Sequence, residues 1–295
     1  MRVNCLAFNF PAPPTFHVPS PRPPINSRMN AVIDAIYREQ SFLAPTGETI
    51  KPFPVAIKRS EGEALYHLVR KIKPAATLEV GTAHGLSAMF ICQALRDNAN
   101  DAQNDTPAPS PRPPCRGCTV GHHTAIDPYQ SRFKNLGLYN IQRAGLSDLL
   151  TFHEEPSQTV LARFVTEKKS FDLIFIDGSH LFDSVFVDFY FADQLIPVGG
   201  LLIFDDLWMP AIRKTLRFIL KNRHYQIAEE FMGDRPAFLA RHVQNLKYQT
   251  RKKLKGKPNL GTGTEMTFHK GRNINWCILQ KTAADDREWD HFAPF

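Results

Sequence analysis

The chain lacks any long apolar run. No uninterrupted hydrophobic stretch in its 295 residues approaches the roughly 18 residues that a membrane-spanning helix needs. The first residues, MRVNCLAFNFPAPP, also lack the apolar core of a secretory signal, because prolines stand where that core would lie. We therefore expect a cytoplasmic protein with no membrane partner. The absence of acids before Asp34 leaves an organellar transit peptide as a minor alternative.

Cysteine is scarce. The cysteines are Cys5, Cys92, Cys115, Cys118 and Cys277. Their number is odd, and the chain is long enough to bury a core without disulfides, so we expect a reducing compartment. Cys115 and Cys118 form one CxxC pair with His122 and His123 nearby, which are zinc-ligand types. A single pair is weak support for zinc, and this alternative stays open.

Acidic residues are missing from the segment 241–260. The segment carries seven Lys or Arg, which equals the net charge of +7 for the whole chain. A basic run of this kind can bind nucleic acid, anionic lipid or a phosphorylated substrate, although most charge runs are simply solvated. Nucleic acid is therefore an unlikely partner and is kept only as an alternative.

Two proline-rich tracts share the hexapeptide PSPRPP, at 19–24 and at 109–114. Such tracts favour extended conformations that bury little surface. We expect a disordered leader at 1–28, followed by one domain at 29–295. This domain would contain a proline-rich surface insertion at 98–120 and a basic insertion at about 231–272. Recognition of a PxxP motif by an SH3-like partner is a further alternative.

The rest of the chain alternates short apolar strands with amphipathic helices. This order predicts an α/β fold: a Rossmann-like, doubly wound, mostly parallel seven-stranded sheet with helices on both faces. The predicted strands are Thr77–Val80, Thr124–Asp127, Leu150–His153, Phe171–Asp177, Gly200–Asp205, Tyr225–Glu229 and Asn275–Gln280. The predicted helices are 29–40, 60–72, 86–97, 129–137, 157–167, 182–195 and 210–221.

The glycine signature of dinucleotide sites is also absent. The first strand leads instead into E-x-G-x-x-x-G, which begins at Glu79 and includes Gly81 and Gly85. Glycines there allow a sharp turn and let a ligand approach the next helix N-terminus. Glu79 is unexpected at a strand tip unless it accepts hydrogen bonds. Asp127 ends the next strand, where an acid commonly binds ribose hydroxyls, so an adenosyl ligand is favoured over a hydride-transfer cofactor.

Acidic residues follow two further strands. Asp177 ends one apolar run and precedes His180 by three residues, and Asp205 and Asp206 end another. These groups should converge, because parallel strands end at one edge of a sheet. Three clustered carboxylates repel one another unless a cation such as Mg²⁺, Mn²⁺ or Ca²⁺ lies between them. The same acids could instead cap helices or bind a cofactor amine.

Four segments, TLEVGTAHGLS, HTAIDP, FDLIFIDGSH and GGLLIFDD, resemble class I S-adenosylmethionine-dependent methyltransferases in content and order. The resemblance covers about residues 60–230, and NINWCILQK fits the last strand. It implies S-adenosylmethionine as cofactor, bordered by Glu79, Gly81, Thr82, Gly85, Ser87 and Asp177. It also implies that Asp127 binds the ribose and that Ser157 and Gln158 touch the adenine. Ser60-Glu61-Gly62 resembles a segment that catechol and caffeoyl-CoA O-methyltransferases fold over the cofactor.

The acidic strand ends resemble those of metal-dependent O-methyltransferases of the catechol, caffeoyl-CoA and macrolide-sugar types. The resemblance implies a metal site formed by Asp177, Asp205 and Asp206. The pair Asp205-Asp206 and the spacing D-x-x-H are more similar to the macrolide-sugar group, which makes His180 the candidate general base. An imidazole has a suitable pKa for this role near pH 7. We therefore expect an enzyme that methylates a hydroxyl of a small molecule, and it could be a homo-oligomer.

Other functions remain open at this stage. A related metal-independent methyltransferase or a hydroxylase similar to the cephalosporin hydroxylases would share the same pattern, because a fold does not fix a reaction. A ribose methyltransferase or a simple binding module could use the basic segment 241–260. Methylation of a nucleic-acid base is disfavoured, because the loop after the fourth strand reads Asp177-Gly178-Ser179-His180 and not D/N-P-P-Y/F.

Overall fold

The computed structural model describes residues 29–51, 56–104, 121–228 and 275–295. The predicted leader, the CxxC pair, most of the proline-rich insertion and the basic segment lie outside these ranges. The helices are α1 (Ala31–Glu39), α2 (Arg59–Ile72), α3 (Leu86–Asn104), α4 (Leu136–Arg143), α5 (Ser157–Thr166), α6 (Phe182–Leu195) and α7 (Pro210–Asn222). The strands are β1 (Phe42–Leu43), β2 (Thr49–Ile50), β3 (Ala76–Val80), β4 (His122–Ile126), β5 (Leu150–His153), β6 (Leu173–Ile176), β7 (Leu201–Phe204), β8 (Tyr225–Ile227) and β9 (Cys277–Lys281).

Seven of these strands form one sheet in the order β5-β4-β3-β6-β7-β9-β8. Neighbouring strands from β5 to β7 are parallel, whereas β9 is antiparallel to both β7 and β8. From β3 the next strands along the chain are added on one side of the sheet, and from β6 they are added on the other side. Ligands of such sheets bind at the switch point between these two strands. The predicted Rossmann-like α/β fold is confirmed.

Both faces of the sheet are buried under helices. Leu173 and Phe175 of β6 pack into a core with α1, α2 and α3, whereas Ile174 and Ile176 pack into a second core with α5, α6 and α7. Strands that are covered on both faces read as continuous apolar runs. The apolar runs of β6 and β7 therefore predict strands directly. A charged residue just beyond either run stands out in the sequence for the same reason.

Helix α3 is longer than predicted. It continues to Asn104, seven residues past the predicted end at 97, so the first part of the predicted insertion 98–120 is helical. Asn98 donates a hydrogen bond to the Val69 carbonyl, and Arg70 forms an ion pair with Asp101, which joins this extension to α2. The sequence Asp97–Asn104 is polar and resembles a loop, and only packing against α2 reveals the helix. Residues 105–120 lie outside the described ranges.

The predicted helix 129–137 is wrong. The chain forms a short 3₁₀ turn at Gln130–Phe133, and α4 begins only at Leu136. Lys134 and Asn135 separate the two because both have positive φ angles, of 52° and 53°. Such left-handed residues cannot continue a right-handed helix. The small hairpin of β1 and β2 was not predicted either, since two-residue strands show no alternation.

The predicted strand boundaries need small corrections that bear on the site. Strands β4, β6 and β7 end one residue earlier than predicted, so that Asp127, Asp177 and Asp205 lie just beyond them. Among the described residues, no helix is both long and apolar enough to cross a membrane. Cys92 and Cys277 are buried, and neither forms a disulfide among the described residues.

Candidate active site

Asp127, Asp177 and Asp205 lie at the carboxyl edge of the sheet, one residue past the ends of β4, β6 and β7. Backbone hydrogen bonds fix the positions of these strand ends. The Gly81 N–H donates to the Ile126 carbonyl (2.8 Å), and the Asp177 N–H donates to the Val80 carbonyl (2.8 Å). The Asp205 N–H donates in the same way to the Ile176 carbonyl at 3.2 Å. The hydrogen-bond pattern of the sheet thus extends one residue past the ends of β3, β6 and β7. It brings the glycine turn after β3 beside the loops after β6 and β7.

At each of the two glycines of the turn, a close neighbouring backbone leaves no room for a side chain. Gly81 has a φ of 91°, and a β-carbon built there would lie 2.1 Å from the Asp177 carbonyl oxygen. Gly85 has a φ of 75°, and its β-carbon would lie 2.7 Å from the α-carbon of Gly137 in α4. Positive φ and close backbone contact both exclude larger residues. The turn is therefore pressed against the loop that carries Asp177.

Asp127 organises this turn. Its Oδ2 accepts hydrogen bonds from the N–H groups of Thr82 (3.1 Å) and Ala83 (2.7 Å), and its Oδ1 accepts one from Tyr129 (2.8 Å). The side chain is 4% exposed. A carboxylate has about four acceptor positions, and three are used by backbone groups. The predicted role in binding ribose stays a prediction, and the structure adds a role in shaping the loop.

Several buried polar atoms around the turn lack hydrogen-bond partners among the described residues. They are both carboxylate oxygens of Glu79, Thr82 Oγ1, His84 Nδ1 and Gln130 Oε1. Buried polar groups in folded proteins are nearly always hydrogen-bonded. Glu79 is fully buried, and Gln130 reaches the turn through a 2.7 Å bond from Nε2 to the Ala83 carbonyl. Such a group of unsatisfied atoms fits a site that a polar cofactor and its waters complete.

We expected Glu79 to accept hydrogen bonds, but none of the described residues donates one to its carboxylate. An imidazole lies close to it, since Nε2 of His123 on β4 is 3.7 Å from the Glu79 carboxylate. Both side chains are fully buried. His123 Nδ1 is 2.8 Å from the hydroxyl of Thr77, which fixes the ring. Glu79 thus lies beneath the glycine turn and beside an imidazole.

The residues predicted at the adenine are placed at the start of α5. The Ser157 hydroxyl donates a 2.6 Å hydrogen bond to Asp188 of α6, and Gln158 is exposed. Burial raises the pKa of Asp188 to about 6, although the bond from Ser157 acts in the opposite direction. Ser87 is buried in the first turn of α3. The adenine contacts of Ser157 and Gln158 stay predictions.

Asp177, His180 and Asp206 form the cluster in the described residues that could hold a metal ion. One ligand atom from each lies within 4.8 Å of the others, and His180 Nε2 is 2.7 Å from Asp206 Oδ2. The trio predicted from the sequence contained Asp205 in place of His180. Asp205 is instead buried, and its Oδ1 accepts the Asp206 N–H at 2.7 Å.

The electrostatics of these acids fit a cation. Burial, reinforced by Asp205 and Asp206, raises the pKa of Asp177 well above its ordinary value. Burial also raises the pKa of Asp205 to about 7. The hydrogen bond from the Asp206 N–H opposes this effect, while the charges of Asp206 and Glu61 reinforce it. Carboxylates held together without a counter-charge are disfavoured in their ionised form. An oxygen-rich site of this kind suits a divalent cation.

Asp206 has a different environment. Burial opposes its ionisation, but hydrogen bonds from His180, Trp208 and Asn275 outweigh it and hold the pKa of Asp206 below its usual value. Trp208 Nε1 and Asn275 Nδ2 both donate to Oδ1, at 2.8 and 3.0 Å. The hydrogen bond to Asp206 raises the pKa of His180, and burial opposes this effect. Asp206 is thus the acid in the cluster that favours the ionised form.

Sequence reasoning missed four residues of this site: His84, Gln130, Trp208 and Asn275. His84 lies within the glycine turn, and its ring stacks on Phe42 with centroids 5.5 Å apart. Trp208 is exposed and stands two residues after Asp206, and a tryptophan so close to a predicted metal ligand was an available signal. Asn275 is 69 residues from Asp206 in the chain, and no local pattern connects the two.

Part of the chain is similar to known methyltransferases. Residues 78–207 match a family model described as a methyltransferase domain. Caffeoyl-CoA O-methyltransferase 1 from Eucalyptus globulus is 29% identical over 151 residues, which are 50% of this chain and 51% of that protein. Caffeoyl-CoA O-methyltransferase 1 from Zea mays is 26% identical over 170 residues, 54% of this chain and 56% of that protein. The chain therefore spans about half the length of the curated relatives it matches.

A solved structure has the same fold. The O-methyltransferase from Bacillus cereus, solved in complex with SAH, superposes with a TM-score of 0.51 at 16% identity, and the match covers 69% of this chain and 85% of that one. The resemblance to class I S-adenosylmethionine-dependent methyltransferases is confirmed.

Proposed function

We propose that the protein is an S-adenosylmethionine-dependent O-methyltransferase that methylates a hydroxyl of a small molecule with the help of a divalent cation. The contact between Gly81 and the Asp177 carbonyl carries this proposal. It places the glycine turn, the expected cofactor site, directly beside the cluster of Asp177, His180 and Asp206. The methyltransferase-domain match and the relatives named as caffeoyl-CoA O-methyltransferases support the same conclusion.

The glycine turn would hold the cofactor. Gly81 and Gly85 admit its backbone approach, while Thr82 and Glu79 offer unsatisfied polar atoms. Asp127 keeps the turn in shape through Oδ2, and its Oδ1, which accepts one bond from Tyr129, has room for a ribose hydroxyl. Bound S-adenosylmethionine supplies the methyl group, and a divalent cation supplies positive charge that lowers the pKa of the substrate hydroxyl. Asp177 and Asp206 offer the carboxylate oxygens for that cation.

His180 has two candidate roles in this reaction. The sequence predicts a general base, which requires one ring nitrogen to face the substrate hydroxyl. The position of its Nε2 against Asp206 favours a role as a metal ligand. The affinity of His180→Ala for a cation and the pH dependence of its turnover separate the two roles.

Methyl-transfer assays test the function as a whole. Purified protein would be incubated with labelled S-adenosylmethionine and a panel of vicinal diols, phenols, hydroxylated acyl-CoA thioesters and RNA, with and without EDTA. We expect labelled methyl ethers of a small molecule, and loss of activity in EDTA that added cation restores. Calorimetry in parallel measures cofactor binding, and a wild-type protein that does not bind S-adenosylmethionine would overturn the proposal.

The alternatives give different results in this assay. A metal-independent methyltransferase keeps full activity in EDTA, a hydroxylase-like enzyme transfers no label, and a ribose methyltransferase labels RNA. The basic segment 241–260, on which RNA binding would depend, lies outside the described residues. The expected cytoplasmic location and the possible homo-oligomer stay predictions.

A further inference from the structure

We propose that His180 binds the divalent cation directly through Nε2, and that the site therefore selects a transition-metal ion such as Mn²⁺, Co²⁺ or Zn²⁺ over Mg²⁺ and Ca²⁺. The inference rests on the cation site of the proposed function and names its ligands and metal class. It replaces the all-oxygen trio expected from the sequence with one imidazole and two carboxylates.

The spacing of the donor atoms supports direct binding. His180 Nε2 and Asp206 Oδ2 are 2.7 Å apart, and an oxygen of Asp177 lies within 4.8 Å of both. Metal–ligand bonds of about 2.1 Å at right angles place neighbouring ligands about 3 Å apart. The imidazole and the Asp206 carboxylate already have nearly this separation. A bound ion would replace the hydrogen that the two groups now share, and the side chains would need only small shifts to face it.

Asp206 is oriented for this arrangement by residues behind it. Trp208 and Asn275 donate to Oδ1, which leaves Oδ2 directed at His180. Partners that fix the unused atom of a ligand are a common feature of metal sites. Asp206 also has a positive φ of 53°. Strained backbone of this kind persists only where surrounding contacts hold it.

Asp205 is placed differently from the other two acids. Its Oδ1 accepts the N–H of Asp206, and the side chain is 8% exposed. It does not belong to the group of converging ligand atoms in the described residues, where His180 takes the third place. Asp205 therefore supports the loop of Asp206 from within the protein.

The ligand set determines the metal class. Carboxylate oxygens suit Mg²⁺, Ca²⁺ and Mn²⁺, whereas an added imidazole nitrogen favours transition ions over Mg²⁺ and Ca²⁺, increasingly from Mn²⁺ to Co²⁺. Mg²⁺ also dehydrates reluctantly and retains several waters when it binds to proteins. A site with one imidazole and two carboxylates should accordingly bind Mn²⁺ or Co²⁺ more tightly than Mg²⁺.

The first test is cation binding by the full chain after removal of bound metal. Calorimetry would compare MnCl₂, CoCl₂, ZnCl₂ and MgCl₂ for the wild type and His180→Ala. We expect the wild type to bind Mn²⁺ at least about tenfold more tightly than Mg²⁺. We expect His180→Ala to lose more than about 100-fold in Mn²⁺ affinity, which exceeds the loss for an indirect partner, with a smaller loss for Mg²⁺. His224→Ala is the matched control, because His224 forms a similar ion pair with Asp286 elsewhere on the protein.

The second test needs no variant. Pulsed electron paramagnetic resonance of the Mn²⁺-loaded wild type should show coupling to a directly bound imidazole nitrogen. Absence of this coupling, or equal affinities for Mn²⁺ and Mg²⁺, overturns the proposal. Full Mn²⁺ affinity in His180→Ala also overturns the proposal. If the same variant then turns over slowly and recovers at higher pH, His180 is the general base. Cofactor binding measured on the same samples shows whether only the cation assignment or the whole proposed function has failed.

Discussion

The carbonyl oxygen of Asp177 occupies the space that a β-carbon at Gly81 would need. The two would be only 2.1 Å apart, so the backbone of the glycine turn lies directly against the loop that carries Asp177. This contact joins the ends of β3 and β6, which are neighbouring strands of the sheet. The proximity of the two halves of the site is thus a property of the backbone.

Gly81→Ala should therefore disrupt both halves. The new methyl group must displace the Asp177 backbone, and overpacking of this kind costs about 1–3 kcal/mol beyond the cost of positive φ. Gly145→Ala is the control, because Gly145 also has a positive φ (68°) but no atom within 4 Å of the point where a β-carbon would lie. Urea denaturation and calorimetry with S-adenosylmethionine should show a larger loss of stability and of affinity for Gly81→Ala. Equal losses in the two variants would contradict the contact.

Asp127→Ala should weaken cofactor binding and loosen the turn. Loss of charge-assisted hydrogen bonds to a ribose should cost about 2–4 kcal/mol in binding. The N–H groups of Thr82, Ala83 and Tyr129 would also lose their acceptor. Asp127→Asn retains one acceptor oxygen and should fall between the wild type and Asp127→Ala in both affinity and melting temperature. An Asp127→Ala protein with wild-type affinity would remove Asp127 from the site.

The sequence predicted the framework of this site better than its contacts. The apolar runs of β6 and β7 and the bounds of α6 were clear, because strands buried on both faces and a helix with one apolar stripe have strong periodic signals. Those signals also placed Asp177, Asp205 and Asp206 at one edge. The hydrogen bond from Asn275 to Asp206 was not predictable, since it depends on β9 pairing with β7. The 2.7 Å contact between His180 and Asp206 was not predictable either, because it depends on how the loops after β6 and β7 are folded.

Substitutions of the acids should follow the geometry of the cluster. Asp177→Asn and Asp206→Asn remove proposed cation ligands and should reduce both Mn²⁺ affinity and methyl transfer strongly. Asp205→Asn should have a smaller effect on Mn²⁺ affinity, because its Oδ1 supports the Asp206 backbone and an amide oxygen can accept the same bond. Loss of an indirect partner of a metal site costs about 10–100-fold. If Asp205→Asn abolishes cation binding as fully as Asp206→Asn, the all-oxygen trio is correct.

Asp188 should give the protein a measurable pH dependence of stability. Its pKa is about 6 in the fold against 3.8 ordinarily, so the folded state binds more protons between these values and stability falls as the pH rises through this window. Above pH 7 the full penalty applies, at most about 3 kcal/mol for a shift of this size. Asp188→Asn removes the charge, while its amide oxygen can still accept the bond from Ser157.

The Asp188→Asn variant should therefore be more stable than the wild type at pH 8, and the two should converge near pH 4. Denaturant titrations at both values, with equal slopes required for the comparison, measure the difference directly. Asp183→Asn is the matched control, because Asp183 is an exposed acid on the same helix and its substitution should change stability by less than about 0.5 kcal/mol. If Asp188→Asn raises the free energy of unfolding equally at both pH values, folding does not raise the pKa of Asp188. The bond from Ser157 would then compensate the burial of this carboxylate in full.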